Sequence, residues 1–191
     1  MPRLNNFNKS MGLKQGVDEM FTPPILVQPI LKYIKAKSII WCPFDTDKSE
    51  FSIAFREHGH KVINSHIWHG QDFFEFEPKE YDYIISNPPF SEKLEVLYRL
   101  YRLNKPFAMI FGLPILNYQI IGEFFLNQNS DLQLLIVDKK VSFNGKTASF
   151  NNSYFCRKML PKDIIFEHLE HNNSGVNFCR SRMWQEWKDK L

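Results

Sequence analysis

Short apolar runs that are typical of buried strands alternate with amphipathic helical patterns from residue 38 to residue 126. The strand-like runs are residues 38–42, 60–67, 81–86 and 106–111, and the helical patterns are residues 49–58, a stretch capped by Ser91, and residues 114–126. Strands separated by helices of this length pair in parallel and are joined by right-handed crossovers. The alternation therefore predicts an α/β fold with a Rossmann-like, doubly wound and mostly parallel sheet.

The pattern changes after residue 130. Residues 132–137, 141–143 and 153–156 are strand-like and are joined by Asn-Gly and Asn-Asn turn signals, without a helix between them. This arrangement predicts an antiparallel C-terminal hairpin that closes one edge of the sheet. Residues 164–169 have the pattern of a last strand.

The length of 191 residues fits one domain with a full core. We expect residues 1–20 to form a polar arm and residues 172–191 to form a tail, in which a short amphipathic helix carries Trp184 and Trp187. These two side chains would pack on the domain or on a second copy of the chain. The 18 phenylalanines are expected to lie mostly in the core.

Charge, apolar stretches and the positions of cysteine and histidine limit the classes of protein to which the chain can belong. The net charge of +3 permits a polyanionic partner without requiring one. The longest apolar stretch, residues 108–116, is interrupted by Gly and Pro, so we expect a cytoplasmic protein that makes no contact with a membrane. Three widely spaced cysteines argue against a disulfide framework or a zinc site, and His66 and His69 lack a third ligand, so no metal is expected.

The segment Tyr81–Lys93 reads YDYIISNPPFSEK and contains candidate site residues directly after a predicted strand. Its prolines end the strand, so the next four residues lie in the exit loop, where open α/β sheets bind their ligands. The side-chain oxygen of Asn87 and the main-chain carbonyl of Pro88 can accept both hydrogens of an exocyclic amino group. Pro89 stiffens the loop, and Phe90 offers a stacking face worth about 1–3 kcal/mol for one base. A turn without chemistry is the alternative interpretation.

This Asn-Pro-Pro-aromatic signature resembles motif IV of the S-adenosylmethionine-dependent N6-adenine methyltransferases. The resemblance covers roughly residues 21–169, and the motifs follow one another in the γ order. The chain is similar to small phage- and prophage-type enzymes of this family, which lack a separate target-recognition domain. It implies the class I methyltransferase fold, S-adenosylmethionine as cofactor, and catalytic roles for Asn87, Pro88, Pro89 and Phe90.

The same resemblance assigns cofactor contacts to two further segments, one before the first predicted strand and one between the second and third predicted strands. Phe21 and Thr22 precede a helix and would hold the methionine end of the cofactor. Asp72 would accept a hydrogen bond from the adenine amino group while Phe73 packs on the ring. Alternatively, Asp72 only caps the turn before the acidic loop of residues 75–80.

The predicted C-terminal hairpin resembles the edge hairpin on which these enzymes place a second base-packing ring. The substrate-binding residues implied are Lys140, which would contact phosphate, and Phe143 and Phe150, which would pack on the target base. The alternatives are a solvated lysine and two core rings.

Two segments depart from the family pattern. The loop of residues 42–49 contains no glycine; the resemblance places Pro43, Phe44 and Asp45 against the cofactor, and either Asp45 or Asp47 could bind its ammonium group. At the end of the second strand, where the family has an acid that holds the ribose hydroxyls, this chain has Asn64, Ser65 and His66. A variant subfamily and a non-methylating relative are both compatible with these changes.

The resulting hypothesis is transfer of a methyl group from S-adenosylmethionine to N6 of adenine in nucleic acid, with DNA favoured over RNA. A chain of this length has little room for a sequence reader, so we expect weak specificity, a specificity partner, or a homodimer. The alternatives are a tRNA adenine-N6 methyltransferase, a catalytically silent nucleic-acid- or nucleotide-binding module, and, more weakly, a nucleotidyltransferase.

Overall fold

A computed structural model of the protein describes residues 22–127, 131–141, 143 and 152–170. Seven strands form one sheet, which has the spatial order β2-β1-β3-β4-β6-β5-β7. The strands are β1 (Ile39–Cys42), β2 (Lys61–Asn64), β3 (Tyr83–Ser86), β4 (Phe107–Gly112), β5 (Gln133–Val137), β6 (Asn152–Arg157) and β7 (Ile164–Glu167).

Four α-helices and three short 3-10 helices connect these strands within the described residues. The α-helices are α1 (Pro24–Leu31), α2 (Glu50–Glu57), α3 (Lys93–Leu103) and α4 (Gln119–Asn127). The 3-10 helices are Ile67–His69, Phe90–Glu92 and Leu113–Asn117. None of the described helices is long and apolar enough to cross a bilayer.

The strand pairing confirms the predicted doubly wound sheet. The pairs β1–β2, β1–β3 and β3–β4 are parallel, as is β5–β7, whereas β6 is antiparallel to both β4 and β5. Consequently, the carboxyl ends of six strands and the amino end of β6 lie along one edge of the sheet, which we call the carboxyl edge. Loops at this edge can converge on a common ligand.

The C-terminal strands differ from the prediction in two respects. β5 and β6 form the expected antiparallel pair, but β6 lies between β4 and β5, and β7 is the outermost strand on that side. The predicted hairpin therefore does not close the edge of the sheet. Of the predicted run 141–143, residue 143 forms only an isolated bridge and residue 141 lies outside the strands.

The alternation of side chains in the central strands separates two apolar cores. Ile40 and Ile85 lie in the core that is covered by α1 and α2. Trp41 and Ile84, one residue away in each strand, lie in the core that is covered by α3 and α4. The predicted abundance of phenylalanine in the core is confirmed for the described residues, where the following rings are almost fully buried: Phe51, Phe55, Phe73, Phe107, Phe111, Phe124 and Phe155. Cys42 and Cys156 are buried free thiols, and Cys179 lies outside the described residues.

Candidate functional site

The exit loop of β3 begins where the sequence predicts. β3 is buried along its whole length and ends at Ser86, because the two prolines that follow Asn87 cannot continue the ladder. Asn87 and Pro89 are half-buried, and Pro88 is buried. Pro89 has φ −54° and ψ 130° and precedes the 3-10 helix Phe90–Glu92. The side chain of Phe90 lies outside what the structure describes.

Asp45 connects the loop after β1 to this exit loop. Its carboxyl group is buried and accepts a hydrogen bond from the Ser86 hydroxyl, directly before Asn87. Burial raises the pKa of Asp45 to about 6, and hydrogen bonds from Ser86 and Ser49 partly oppose that rise in pKa. The structure therefore brings two of the predicted site segments together through one buried carboxyl group.

The end of β2 carries a polar network built on an amide. The Asn64 side chain accepts a hydrogen bond from the Ser52 hydroxyl at 2.7 Å and donates one to the Asp47 carboxylate, also at 2.7 Å. The Arg56 guanidinium donates to the same Asp47 oxygen. Ser52 and Arg56 are one helical turn apart on α2, so they share the helix face above this strand end. Neither was predicted as a site residue, although their four-residue spacing in the helical pattern of residues 49–58 was a usable signal.

Ser65 and His66 follow β2 and are both buried. The Ser65 hydroxyl accepts a hydrogen bond from the Trp41 indole at 2.8 Å. His66 Nδ1 accepts one from the Trp68 main-chain N–H at 3.2 Å, and the two rings lie 4.4 Å apart. Burial lowers the pKa of His66 to about 4, so the imidazole is neutral at pH 7. Trp68, which was not predicted as a site residue either, presents an exposed indole at the carboxyl edge.

Asp72 and Phe73 lie in the loop between β2 and β3. The Asp72 carboxylate accepts a hydrogen bond from the Phe74 main-chain N–H at 2.9 Å, which is the capping contact considered as the alternative. Phe73 is 2% exposed and packs between Trp41 and Phe44, with ring centroids at 5.4 Å and 4.9 Å. Phe44 is half-buried and so offers more open ring surface than Phe73.

The other predicted site residues are distributed along the sheet. Thr22 is buried before α1, and Pro43 is buried after β1. Lys140 is exposed after β5, whereas Phe143 is 5% exposed and lies in the core beneath α1 and α2. Phe21 and Phe150 are outside the described residues, as are the N-terminal arm and the tail with Trp184 and Trp187. Within the residues described, His, Cys, Asp and Glu side chains form no cluster of three that could hold a metal ion.

No family model matches the chain, and no curated protein matches its sequence. Two solved structures are similar in fold. The methyltransferase subunit of a type I restriction-modification system from Streptococcus thermophilus is 12% identical, with a TM-score of 0.51 over 91% of this chain and 53% of that subunit. A modification subunit assigned to a type I restriction enzyme from Vibrio vulnificus YJ016 is 13% identical, with a TM-score of 0.56 over 99% of this chain and 56% of that subunit.

The chain spans about half the length of these two subunits. At 12% and 13% identity the similarity establishes a shared architecture. The parallel pairing of β1 to β4 and the antiparallel β6 agree with that architecture. The protein therefore has the class I methyltransferase fold.

Proposed function

We propose that the protein transfers a methyl group from S-adenosylmethionine to N6 of adenine in nucleic acid, with DNA favoured over RNA. The observation that carries this proposal is the hydrogen bond between Asp45 and Ser86. It connects the loop proposed to bind the cofactor with the residue directly before Asn87, where the target amino group would be held. A donor and an acceptor of the methyl group would therefore meet at one point of the carboxyl edge.

The side chains near β1 fit the chemical groups of this cofactor, which are an ammonium, a sulfonium and a nucleoside. The pKa of Asp45 is raised by burial, so a neighbouring cation would stabilise its ionised form. Half-buried Phe44 offers an apolar surface, and the Asp72 carboxylate would accept from the adenine amino group. Phe21, Thr22, Pro43, Ser65, His66 and Phe73 complete the proposed cofactor site. When bound, the cofactor supplies an electrophilic methyl group.

The chain's own residues would orient the target amino group. Asn87 and Pro88 would each accept one of its hydrogens, and Phe90 would stack on an adenine that has left the duplex. Alignment of the nitrogen would then lower the barrier without acid–base catalysis. Neither Asn87 nor Pro88 can take up a proton in this role, so the surplus proton on N6 leaves to solvent. Lys140, Phe143 and Phe150 remain proposed contacts to the substrate.

The assignment of nucleic acid as substrate has two supports. The similar structures are subunits of restriction-modification and restriction systems, and the present chain carries a net charge of +3. Because this chain spans about half of each subunit, a partner chain or a second copy is proposed to supply sequence specificity.

A catalytically silent nucleic-acid- or nucleotide-binding module is the second candidate. The loop of residues 43–49 contains no glycine, so its backbone cannot approach a ligand as closely as a glycine loop does. In addition, the Phe73 ring is 2% exposed and leaves little surface for stacking. These two observations favour a protein that has this fold and this exit loop but does not catalyse methyl transfer.

Incubation with S-adenosylmethionine tritiated on its methyl group separates the two candidates. The substrates are double-stranded DNA, single-stranded DNA and tRNA, and the digested products are scored for labelled N6-methyladenine. The expected result is label in DNA, and label in tRNA alone would assign the RNA alternative. Binding of nucleic acid without label in any substrate would overturn the enzymatic proposal.

A further inference from the structure

Asn64, the last residue of β2, has both ends of its amide occupied within the protein. Its oxygen accepts from Ser52 and its nitrogen donates to Asp47, each at 2.7 Å. In doubly wound folds an acidic side chain near the end of the second strand binds the hydroxyl groups of a ribose. Asn64 has no carboxylate, and its amide is already engaged.

Asp47 brings a carboxylate to the same point from the loop after β1. Asn64 and Arg56 both donate to its Oδ1 atom, and Arg56 also donates to the Asp47 main-chain oxygen at 3.2 Å. The hydrogen bond from Arg56 lowers the pKa of Asp47, so this carboxylate is ionised at neutral pH. The Asp47 side chain is nevertheless 81% exposed. It is a charged acceptor that is held in place and open to solvent.

The position of Asp47 relative to the proposed cofactor site follows from the strand register. Asn64 is paired with Cys42, the last residue of β1, and the Ser65 N–H donates to the Cys42 carbonyl at 3.1 Å. Asp47 thus lies over the adjoining ends of β1 and β2, whereas buried Asp45 contacts β3 on the other side of β1. The two acids of one loop face different parts of the carboxyl edge.

We propose that Asp47, oriented by Asn64 and Arg56, binds the ribose hydroxyls of the nucleoside part of the cofactor. This inference rests on the proposed function, and it divides the two acids: Asp45 serves the ammonium and Asp47 serves the ribose. Because the protein contacts engage Oδ1, Oδ2 is the atom assigned to the hydroxyl groups. Loss of a hydrogen bond to a charged acceptor costs about tenfold or more in affinity.

Calorimetric titration tests the role of Asp47 with a pair of ligands. S-adenosylhomocysteine and its analogue without the ribose 2′-hydroxyl are titrated into the wild-type protein, Asp47→Asn and Glu80→Gln. The wild type is expected to prefer the complete ribose by about tenfold, and Asp47→Asn by less than about twofold. Glu80, an exposed acid in the segment before β3, is the matched control and should leave the preference unchanged.

An exchange of the two side chains separates recognition from folding. The double variant Asp47→Asn/Asn64→Asp keeps an amide and a carboxylate in contact and moves the carboxylate to β2. We expect this variant to recover the preference for the complete ribose. A full preference in Asp47→Asn would overturn the inference and leave the proposed function standing. If the wild type binds neither ligand, the proposed cofactor and this inference fail together.

Discussion

Asp45 is a buried carboxyl group whose surroundings oppose its ionisation. Burial raises its pKa from the ordinary aspartate value of 3.8 to about 6 in the folded protein, chiefly because it removes water from the charged form. Between these pH values the folded state binds more protons than the unfolded state, so stability falls as pH rises. The favourable contribution is complete below about pH 4 and is lost as the pH passes about 6.

Asp45→Asn is therefore expected to stabilise the protein at neutral pH. An amide keeps the shape of the side chain without the charge, so the free energy of unfolding at pH 7.5 should rise by up to about 3 kcal/mol. At pH 4 the wild-type carboxyl is already protonated when folded, and the gain should be much smaller. Denaturant titrations at both pH values measure the difference. An equal effect at pH 4 and pH 7.5 would contradict the assigned pKa.

Asp47→Asn, in the same loop, is expected to change the free energy of unfolding at neutral pH in the direction opposite to Asp45→Asn. The pKa of Asp47 is lowered, mainly by the hydrogen bond from Arg56. Its contribution to stability is accordingly present at neutral pH and is lost as the pH falls through the folded pKa. The same titrations should show a loss of stability at pH 7.5 that is smaller at low pH.

Asn87→Ala removes one of the two acceptors proposed to hold the target amino group. We expect methyl transfer to fall by about a hundredfold or more, because the acceptor acts on the reacting nitrogen. The affinity for S-adenosylhomocysteine should stay within about twofold, since the side chain is not assigned to the cofactor. Gln28→Ala, which removes an exposed amide from α1, is the control. Near-normal turnover in Asn87→Ala would remove this residue from the mechanism.

At the scale of elements, periodicity predicted strands and helices more accurately than their ends. The predicted strand 60–67 stops at Asn64, because His66 accepts the Trp68 N–H and a 3-10 helix begins. The predicted strand 81–86 begins at Tyr83, and the Asp82 carboxylate instead accepts the Ile39 N–H at 2.7 Å. Such side-chain contacts join residues far apart in sequence, so local patterns do not reveal them.

In the candidate site, too, local features were predictable from the sequence, whereas contacts between distant residues were not. The position of Asn87 after a buried strand follows from proline chemistry and was predictable. The hydrogen bond between Asp45 and Ser86 forms because β1 and β3 are neighbours in the sheet. The pattern of a single strand or helix does not specify which strands become neighbours. The burial of Phe73 between Trp41 and Phe44 likewise arises from tertiary packing.

Arg99 on α3 holds the loop that carries Asp72 and Phe73. Its guanidinium donates to the main-chain oxygens of Phe74 and Phe76, both at 3.0 Å, and lies 5.3 Å from the Phe73 ring centroid. Arg99→Met keeps the apolar stem but leaves two carbonyls without their donor. The free energy of unfolding should fall by about 1–3 kcal/mol.

Hydrogen exchange locates the effect of that substitution. The Phe76 amide donates to the Asp72 carbonyl at 2.8 Å, so its exchange should accelerate when the loop is released. Arg102→Met, on the exposed side of the same helix, is the matched control. Equal exchange rates in the two variants would show that Arg99 does not secure the loop.

For the whole molecule, the sheet separates the two cores and carries the proposed site at its carboxyl edge. The Tyr154 hydroxyl of β6 donates to the Leu26 carbonyl of α1 at 2.5 Å, so the first described helix is fixed to the middle of the sheet. Thr22 lies just before that helix, and Asp45 lies after β1. A ligand that contacts both segments would join parts of the chain that the sheet already connects, so its binding energy should stabilise the fold as a unit.

Cofactor binding should therefore raise the stability of the entire protein. A ligand that binds only the native state adds about 2.7 kcal/mol to the free energy of unfolding at a hundred times its Kd. We expect S-adenosylhomocysteine to raise the Tm progressively with concentration, and the increase to be smaller in Asp45→Asn, because that variant lacks the carboxylate proposed to bind the ammonium. Adenosine, which lacks the amino-acid part, should act equally on the wild type and on Asp45→Asn. An unchanged Tm at millimolar S-adenosylhomocysteine would favour the silent module, since a fold without a cofactor site gains nothing from the ligand.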